Sequence, residues 1–159
     1  MKNIVFTRID DRLIHGQVMT AWLQLSGADE VVIADDKLAK DAFMVNVMSA
    51  SMPGKIGLKV KDTAGAIKYL TSDKNTTKKI FLLVKTPNEL CALADGGVRI
   101  PSVCVGGMGA KEGRGTLYRN IHASEEEKQA LLDLAGRGID VFIQVLSEDA
   151  RVSLEDALK

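Results

Sequence analysis

Short apolar runs alternate along the chain with stretches in which apolar residues recur at helical spacing. Several of the short runs are continuous in valine, isoleucine, leucine and phenylalanine, which is typical of strands buried on both faces of a parallel sheet. The pattern predicts strands at Asn3–Thr7, Glu30–Ala34, Gly57–Val60, Lys79–Val84, Ser102–Val105 and Asp140–Val145, with a weaker one at Thr116–Arg119. This alternation predicts an α/β fold, with an open, mostly parallel sheet of about six to seven strands and helices on both faces.

Residues that cap helices set the predicted helix starts. Asp35 or Asp36 is expected to cap a helix that ends near Ser51. The apolar stripe of that helix, expected in the core, consists of Met44, Val47 and Met48. Two later helices carry the spacing of a capping box, in which a hydroxyl residue is followed three positions later by a glutamate. The two pairs are Thr86 with Glu89 and Ser124 with Glu127.

Composition limits the classes of protein that this chain can belong to. Its 159 residues are the length of one domain, so residues 1–159 are expected to fold as a single unit. The 21 basic and 21 acidic side chains balance, which argues against nucleic acid as the partner. No apolar stretch approaches the roughly 20 residues of a membrane span, and the chain is expected to be cytoplasmic. Cys91 and Cys104 have no metal-type spacing, so reduced core cysteines are expected, with no metal or cofactor.

In an open α/β sheet, ligands bind at the carboxyl ends of the strands, and the chain places its densest polar segment there. The segment RIDDRLIHGQV, residues 8–18, follows the first predicted strand and leads into a helix. It holds two arginines, two aspartates and a histidine. One interpretation is structural, with aspartates that cap turns and arginines that pair with them. The other interpretation is a reactive site built around His15.

A phosphoryl group is the cargo that best fits these residue types. The neutral imidazole of His15 is a good nucleophile near pH 7 and can accept and release such a group. A phosphoryl group in transfer requires fixed positive charge on its equatorial oxygens. Either Arg12 or Arg8 could supply that charge through a bidentate guanidinium.

The residues around His15 add two further elements. Gly16 and Gln17 open the next helix, so backbone N–H groups at its N-terminus would point toward an anion on His15. An aspartate, with Asp10 as the candidate, could hold one imidazole nitrogen and fix the tautomer. The other nitrogen would then be the one that attacks.

Other polar segments follow predicted strands but carry weaker signals. The run GGMGAKEGRG, residues 106–115, matches no nucleotide-binding fingerprint and is expected either to be a flexible turn or to border the His15 site with backbone donors. Thr86 is explained as a cap, although its hydroxyl could face the site. His122 has no partner at a useful spacing and is expected to be a surface or capping residue.

RIDDRLIHGQV strongly resembles the signature of the IIB subunits of the mannose/fructose/sorbose family of bacterial phosphoenolpyruvate-dependent sugar phosphotransferase systems. The resemblance extends along the chain to the VGGMG loop and the segment IDVFIQVLSED. It implies that residues 1–159 are one IIB domain and that His15 is the phosphoacceptor. It also implies that Arg12 assists phosphoryl transfer, with Arg8, Asp10 and Gln17 in loop positions around the histidine.

The same resemblance implies an activity and partners. The expected activity is that of a protein-N(π)-phosphohistidine–sugar phosphotransferase, with a separate IIA protein as donor. The acceptor is a sugar bound to the membrane subunits IIC and IID, with which the protein would associate peripherally. Mannose, fructose, sorbose and N-acetylgalactosamine all stay open as the sugar, and so does the oligomeric state, including a homo-oligomer. The alternatives are a freestanding sugar-phosphate isomerase or lyase that uses His15 and Asp10 as an acid–base pair, and a non-catalytic binding module.

Overall fold

The structure is a computed structural model that describes the backbone of residues 1–159 and the side chains of residues 1–16 and 19–159. Within these residues, seven strands form one sheet in the order β3-β2-β4-β1-β5-β8-β9, parallel except for β9. The strands of the sheet are β1 (Asn3–Asp10), β2 (Glu30–Ala34), β3 (Gly57–Lys61), β4 (Lys79–Val84), β5 (Ser102–Gly107), β8 (Asp140–Ile143) and β9 (Val152–Ser153). A separate antiparallel hairpin consists of β6 (Gly115–Tyr118) and β7 (Ile121–Ala123). The predicted α/β class is confirmed.

Helices cover both faces of the sheet. They are α1 (Gly16–Ser26), α2 (Ala42–Ala50), α3 (Thr63–Leu70), α4 (Pro87–Asp95), α5 (Glu125–Gly136) and α6 (Leu154–Ala157), with a short 3₁₀ helix at Leu38–Lys40. One core packs α3, α4, α5 and α6 against the sheet, and the other packs α1 against the opposite face around Trp22 and Phe81. In the part of the chain whose side chains are described, no helix is both long and apolar enough to cross a membrane.

The prediction for the segment after β2 is wrong in two respects. Asp35 caps a turn by accepting the N–H groups of residues 37 and 38, and the helix that follows starts again at residue 42 with Asp41 as its cap. No residue of α2, whose side chains are all described, is fully buried. Met44 and Val47 are exposed, whereas Met48 is half-buried against the α1 core. The helix is shorter than predicted and lies at the margin of the core.

The two predicted capping boxes differ in outcome. At the start of α5, Ser124 Oγ accepts the N–H of Glu127 at 3.1 Å, and Glu127 accepts the N–H of Ser124 at 2.9 Å. This capping box is confirmed. At the start of α4, the Thr86 hydroxyl donates to the Glu89 carboxylate, so the residue marks the helix start without the reciprocal backbone bonds.

The central strand β1 is longer than predicted and carries two charges into the core. Arg8 and Asp10 lie two residues apart, so both side chains point to the face covered by α1. Both are fully buried. The neighbouring strand makes room for them with two glycines: a Cβ on Gly106 would lie 1.9 Å from Arg8 Cζ, and one on Gly107 would lie 2.6 Å from Asp10 Oδ1. Gly106 and Gly107 therefore have to be glycines, because any larger side chain would overlap with Arg8 or Asp10.

Replacing Gly106 with alanine tests this packing. We expect Gly106→Ala to lower the free energy of unfolding by about 1–3 kcal/mol or more, because the buried Arg8 guanidinium cannot move away without losing its partners. Gly115→Ala is the matched control, since a Cβ there would have no atom within 4 Å. Its effect should stay within about 0.5 kcal/mol. Urea denaturation of both variants measures the difference, and equal stability would show that Arg8 is not held in place.

Candidate active site

The loop after β1 is fixed by a buried leucine in an unfavourable backbone conformation. Leu13 has φ +57° and is fully buried, and its N–H donates to the carbonyl of Asp10 at 3.0 Å. A left-handed conformation costs energy in a residue with a Cβ, so the surrounding contacts must hold it. With the Leu13 side chain in the α1 core, the loop displays Arg12 before it and His15 after it at the carboxyl edge of the sheet.

His15 lies at the N-cap position of α1, with extended backbone, and its side chain is 18% exposed. Its Nε2 lies 2.9 Å from Oδ2 of Asp10. A carboxylate can only accept a hydrogen bond, so Nε2 carries the proton and donates it. In the neutral imidazole this assigns the lone pair to Nδ1, as expected if an aspartate fixes the tautomer.

The Asp10 carboxylate also organises the backbone of the loop. Its Oδ1 accepts the N–H of Arg12 at 3.1 Å, while Nη2 of Arg8 lies 3.5 Å from Oδ2. The Arg12 guanidinium also lies 3.5 Å from Oδ1. Two guanidinium groups and one backbone N–H therefore surround the buried carboxylate of Asp10. These contacts offset the desolvation of Asp10 and hold it against His15.

Arg8 does not lie where it could clamp a phosphoryl group. Its guanidinium is fully buried and donates to the carbonyls of Gln144 and Val145, at 3.0 Å each. The guanidinium also stacks on Trp22, with Cζ 4.9 Å from the ring centroid. The expectation of a direct role for Arg8 is therefore corrected: its donors face the protein interior, and its charge supports Asp10 from behind.

Arg12 faces outward and lines a cleft of about 660 Å³ at the carboxyl ends of the strands. Its side chain is 60% exposed. Two further cations, Lys85 and Lys111, line the same cleft together with Thr86. Thr86 therefore lies at the cleft, but its hydroxyl donates to the carboxylate of Glu89. His15 opens onto a second concavity of about 390 Å³, which Thr20 also lines. Arg12 and His15 thus flank the Asp10 carboxylate from two sides.

The remaining predicted phosphate-binding positions are at the start of α1. Gly16 is its first residue and has φ +45°, a conformation that favours glycine. Gln17 follows it, and its side chain lies outside the described residues. The first backbone N–H groups of α1 thus begin directly after His15, as the sequence predicts.

The 106–115 loop borders the cleft, which is one of the two outcomes expected from its sequence. Lys111 and Gly109 border the Arg12 cleft, and the N–H of Gly109 donates to Asp11 Oδ2 at 3.0 Å. Sequence reasoning missed Lys111 as a cation of the cleft, whereas Lys85 directly follows β4 at a strand end, where ligands are expected to bind. His122 lies in β7 with Nδ1 3.4 Å from the Thr116 hydroxyl, and it does not line the cleft.

The described side chains offer no alternative centre of metal or thiol chemistry. Among residues 1–16 and 19–159, no three histidine, cysteine or carboxylate side chains lie close enough together to hold a metal ion. Cys91 and Cys104 are free thiols. Burial raises the pKa of the Cys104 thiol to about 11, although the neighbouring Arg8 acts in the opposite direction. Cys104 is therefore a protonated core residue that donates to the Gln144 carbonyl.

Known proteins with similar sequences are components of sugar-specific phosphotransferase systems. The chain is 30% identical over 155 residues to the mannose-specific EIIAB component of Escherichia coli strain K12, a match that covers 98% of this chain and 48% of that protein. It thus spans about half the length of that relative. It is also 30% identical over 162 residues to the N-acetylgalactosamine-specific phosphotransferase enzyme IIB component 1 of the same strain, covering 97% and 98% of the two chains.

The fold and a family model point the same way. The IIBSor domain of the sorbose permease from Klebsiella pneumoniae superimposes with a TM-score of 0.94 and 26% identity, over 98% of this chain and 96% of the solved chain. Residues 4–159 match the model of the family described as PTS system sorbose subfamily IIB component. The chain therefore belongs to the sorbose subfamily of phosphotransferase-system IIB components.

Proposed function

We propose that this protein is a phosphocarrier that takes a phosphoryl group from a phosphohistidine of a IIA protein and passes it to a sugar. The observation that carries this proposal is the hydrogen bond between His15 Nε2 and Asp10, which directs Nδ1 away from the buried carboxylate. The proposed acceptor is a sugar held by the membrane subunits IIC and IID, with which this chain associates peripherally. Residues 1–159 act in this as one unit.

In the first step, His15 Nδ1 attacks the phosphorus of the donor phosphohistidine. A new N–P bond forms while the N–P bond of the donor breaks, and the donor nitrogen keeps the electron pair. Positive charge develops on the imidazole of His15 as Nδ1 bonds to phosphorus. The Asp10 carboxylate at Nε2 stabilises that charge, in the way that a buried aspartate supports the histidine of a catalytic triad.

In the second step, a hydroxyl oxygen of the sugar attacks the phosphorus. The Nδ1–P bond breaks, its electron pair returns to Nδ1, and the hydroxyl proton is released as the phosphate ester forms. Arg12 lies beside the carboxylate that holds His15, and we assign it to contact the equatorial oxygens of the phosphoryl group in both steps. Backbone N–H groups at the start of α1, from Gly16 onward, add further donors.

An isomerase or lyase with His15 and Asp10 as its acid–base pair is not favoured. Asp10 is fully buried and already accepts hydrogen bonds from His15 and the Arg12 N–H, so it offers no oxygen to a small substrate. The mannose-specific and the N-acetylgalactosamine-specific relatives are both 30% identical to this chain, so the similarity does not select one sugar.

The two histidines of the chain provide a matched test of the phosphoacceptor. Incubation with a phosphorylated IIA protein should label wild-type protein and His122→Ala with an acid-labile, base-stable phosphate, whereas His15→Ala should take up none. Intact mass and peptide mapping locate the label, and NMR of the phosphorylated imidazole should place it on Nδ1. Label on His122 would overturn the assignment of His15, and phosphate on Nε2 would overturn the role given to Asp10.

Arg12→Lys separates the geometry of the guanidinium from its charge. Lysine keeps one positive charge but loses the bidentate donor fork, so transfer from His15 to sugar should slow by about 10²–10³-fold. Arg12→Ala should slow it further. The Arg12 side of its ion pair with Asp10 is exposed to solvent, and Asp10 keeps Arg8 and His15 as partners without it, so the melting temperature should change little.

Phosphotransfer and thermal melting measured on the same two variants decide the role of Arg12. Early melting combined with wild-type transfer in the folded fraction would make Arg12 a structural residue only. His122→Ala is again the control, and it should transfer phosphate and melt as the wild-type protein does.

A further inference from the structure

Arg114, which lies outside the RIDDRLIHGQV segment, connects the loop of the active site to the rest of the fold. Its side chain is only 1% exposed. Nε and Nη2 donate to the two carboxylate oxygens of Glu127, at 2.8 and 2.7 Å. Nη1 donates to Asp11 Oδ2 and to the carbonyl of Gly109, at 2.9 Å each. One guanidinium thus joins three separate segments of the chain.

Each partner of Arg114 is itself fixed in place. Glu127 belongs to the capping box of α5 and is held by the backbone of Ser124. Asp11 accepts the Gly109 N–H, and its own N–H donates to the carbonyl of Gly107 at 2.9 Å. The result is a continuous chain of hydrogen bonds from the first turn of α5 to the loop after β1.

Arg114 and Glu127 each favour the charged form of the other. Hydrogen bonding to Glu127 raises the pKa of Arg114 above its ordinary value. Burial alone would raise the pKa of Glu127, but hydrogen bonds from Arg114 and from the Ser124 backbone outweigh burial and leave that pKa below its usual range. A bidentate pair of this kind is both strong and directional.

The contacts of the Arg12 side chain hold it only weakly. Arg12 is 60% exposed, and its guanidinium is 3.5 Å from Asp10. The loop backbone therefore determines where the guanidinium lies. Two contacts hold that backbone. The N–H of Arg12 donates to Asp10, and the side chain of the preceding residue, Asp11, accepts a hydrogen bond from Arg114.

We propose that Arg114 is a positioning residue for Arg12 in phosphoryl transfer, and that it acts through Asp11. This inference rests on the proposed phosphocarrier function. Without Arg114, the Asp11 carboxylate would keep only the N–H of Gly109 as a hydrogen-bond donor, in a loop rich in glycine. Arg12 would then sample positions from which it does not reach the phosphoryl oxygens, while the sheet and α1 stay folded.

A double-mutant cycle with a phosphorylated IIA protein as the donor tests the coupling directly. Nδ1 of His15 attacks the phosphorus of the donor phosphohistidine, the N–P bond of the donor breaks, and the donor nitrogen keeps the electron pair. The rate of phosphorylation of His15, followed by intact mass, should fall about 10–100-fold in Arg114→Ala, as expected when a catalytic group is displaced by about 1 Å. In an Arg12→Ala background the same substitution should change the rate by less than about twofold, because the residue it positions is gone.

Two further variants keep the test conclusive. Arg114→Lys keeps a positive charge beside Glu127 but loses the two parallel hydrogen bonds of the guanidinium. Asp11→Ala removes the partly exposed carboxylate that Arg114 contacts and leaves the buried Arg114–Glu127 pair intact. Asp11→Ala can replace Arg114→Ala in the double-mutant cycle with Arg12→Ala if Arg114→Ala does not fold. It should slow the phosphorylation of His15 when Arg12 is present and change the rate by less than about twofold in the Arg12→Ala background. Arg137→Ala is the matched control, because Arg137 bridges Asp95 and Asp133 away from the cleft and should not change the rate.

The outcomes separate this inference from the function on which it rests. If wild-type protein takes no phosphate on His15 from a phosphorylated IIA protein, the phosphocarrier function fails. If wild-type protein is phosphorylated but the Arg114 and Asp11 variants retain its rate, the positioning role is wrong. The inference would also be overturned if Arg114→Ala slowed the phosphorylation of His15 by the same factor with and without Arg12. That result would show that Arg114 acts independently of Arg12.

Discussion

The site depends on a pair of opposite charges buried at the end of the central strand. Arg8 and Asp10 are both fully inaccessible, and neither would be tolerated there alone, because an unpaired buried charge costs several kcal/mol. Each balances the other and also makes contacts of its own, since Arg8 binds the carbonyls after β8 and Asp10 binds His15. The two glycines at the end of β5 provide the space, so the orientation of His15 is decided by packing inside the sheet.

The loop built on this pair divides its residues between the interior and the surface. Leu13 points into the α1 core, whereas Arg12 and His15 point outward on either side of Asp10. Asp11 links the same loop to α5 through Arg114. The short connection between β1 and α1 is thereby held from both faces of the sheet, while the Arg12 side chain stays exposed and the His15 side chain partly exposed. The held loop offers the preorganisation that transfer chemistry needs.

The sequence predicts the α/β sheet, the loop and the pairing of His15 with an aspartate, because continuous apolar strands and a dense polar segment are local signals. The pattern assigns Arg8 to the loop because polar residues do not fit a buried strand, yet β1 continues through Asp10. Only the pairing of β1 with the glycines of β5 makes such a strand end tolerable, and that pairing is tertiary information. The same holds for Lys111 and Arg114, which reach the site from a segment distant in sequence. It also holds for α2, where Met44 and Val47 remain exposed although their spacing predicts a core stripe.

The accessibility of Arg12 suits a carrier, which must release its cargo as readily as it accepts it. A fully enclosed phosphohistidine surrounded by fixed cations would be stabilised as a ground state, and that stabilisation would slow the next transfer. On the open surface, the 60% exposed Arg12 side chain interacts with a phosphoryl group mainly through water, where such a contact is weak. When a partner protein covers the cleft and displaces that water, the same contact strengthens as charge is redistributed in the transition state. In the proposed function, electrostatic assistance is thus strongest while donor or acceptor is docked, and it weakens when His15 carries the group alone.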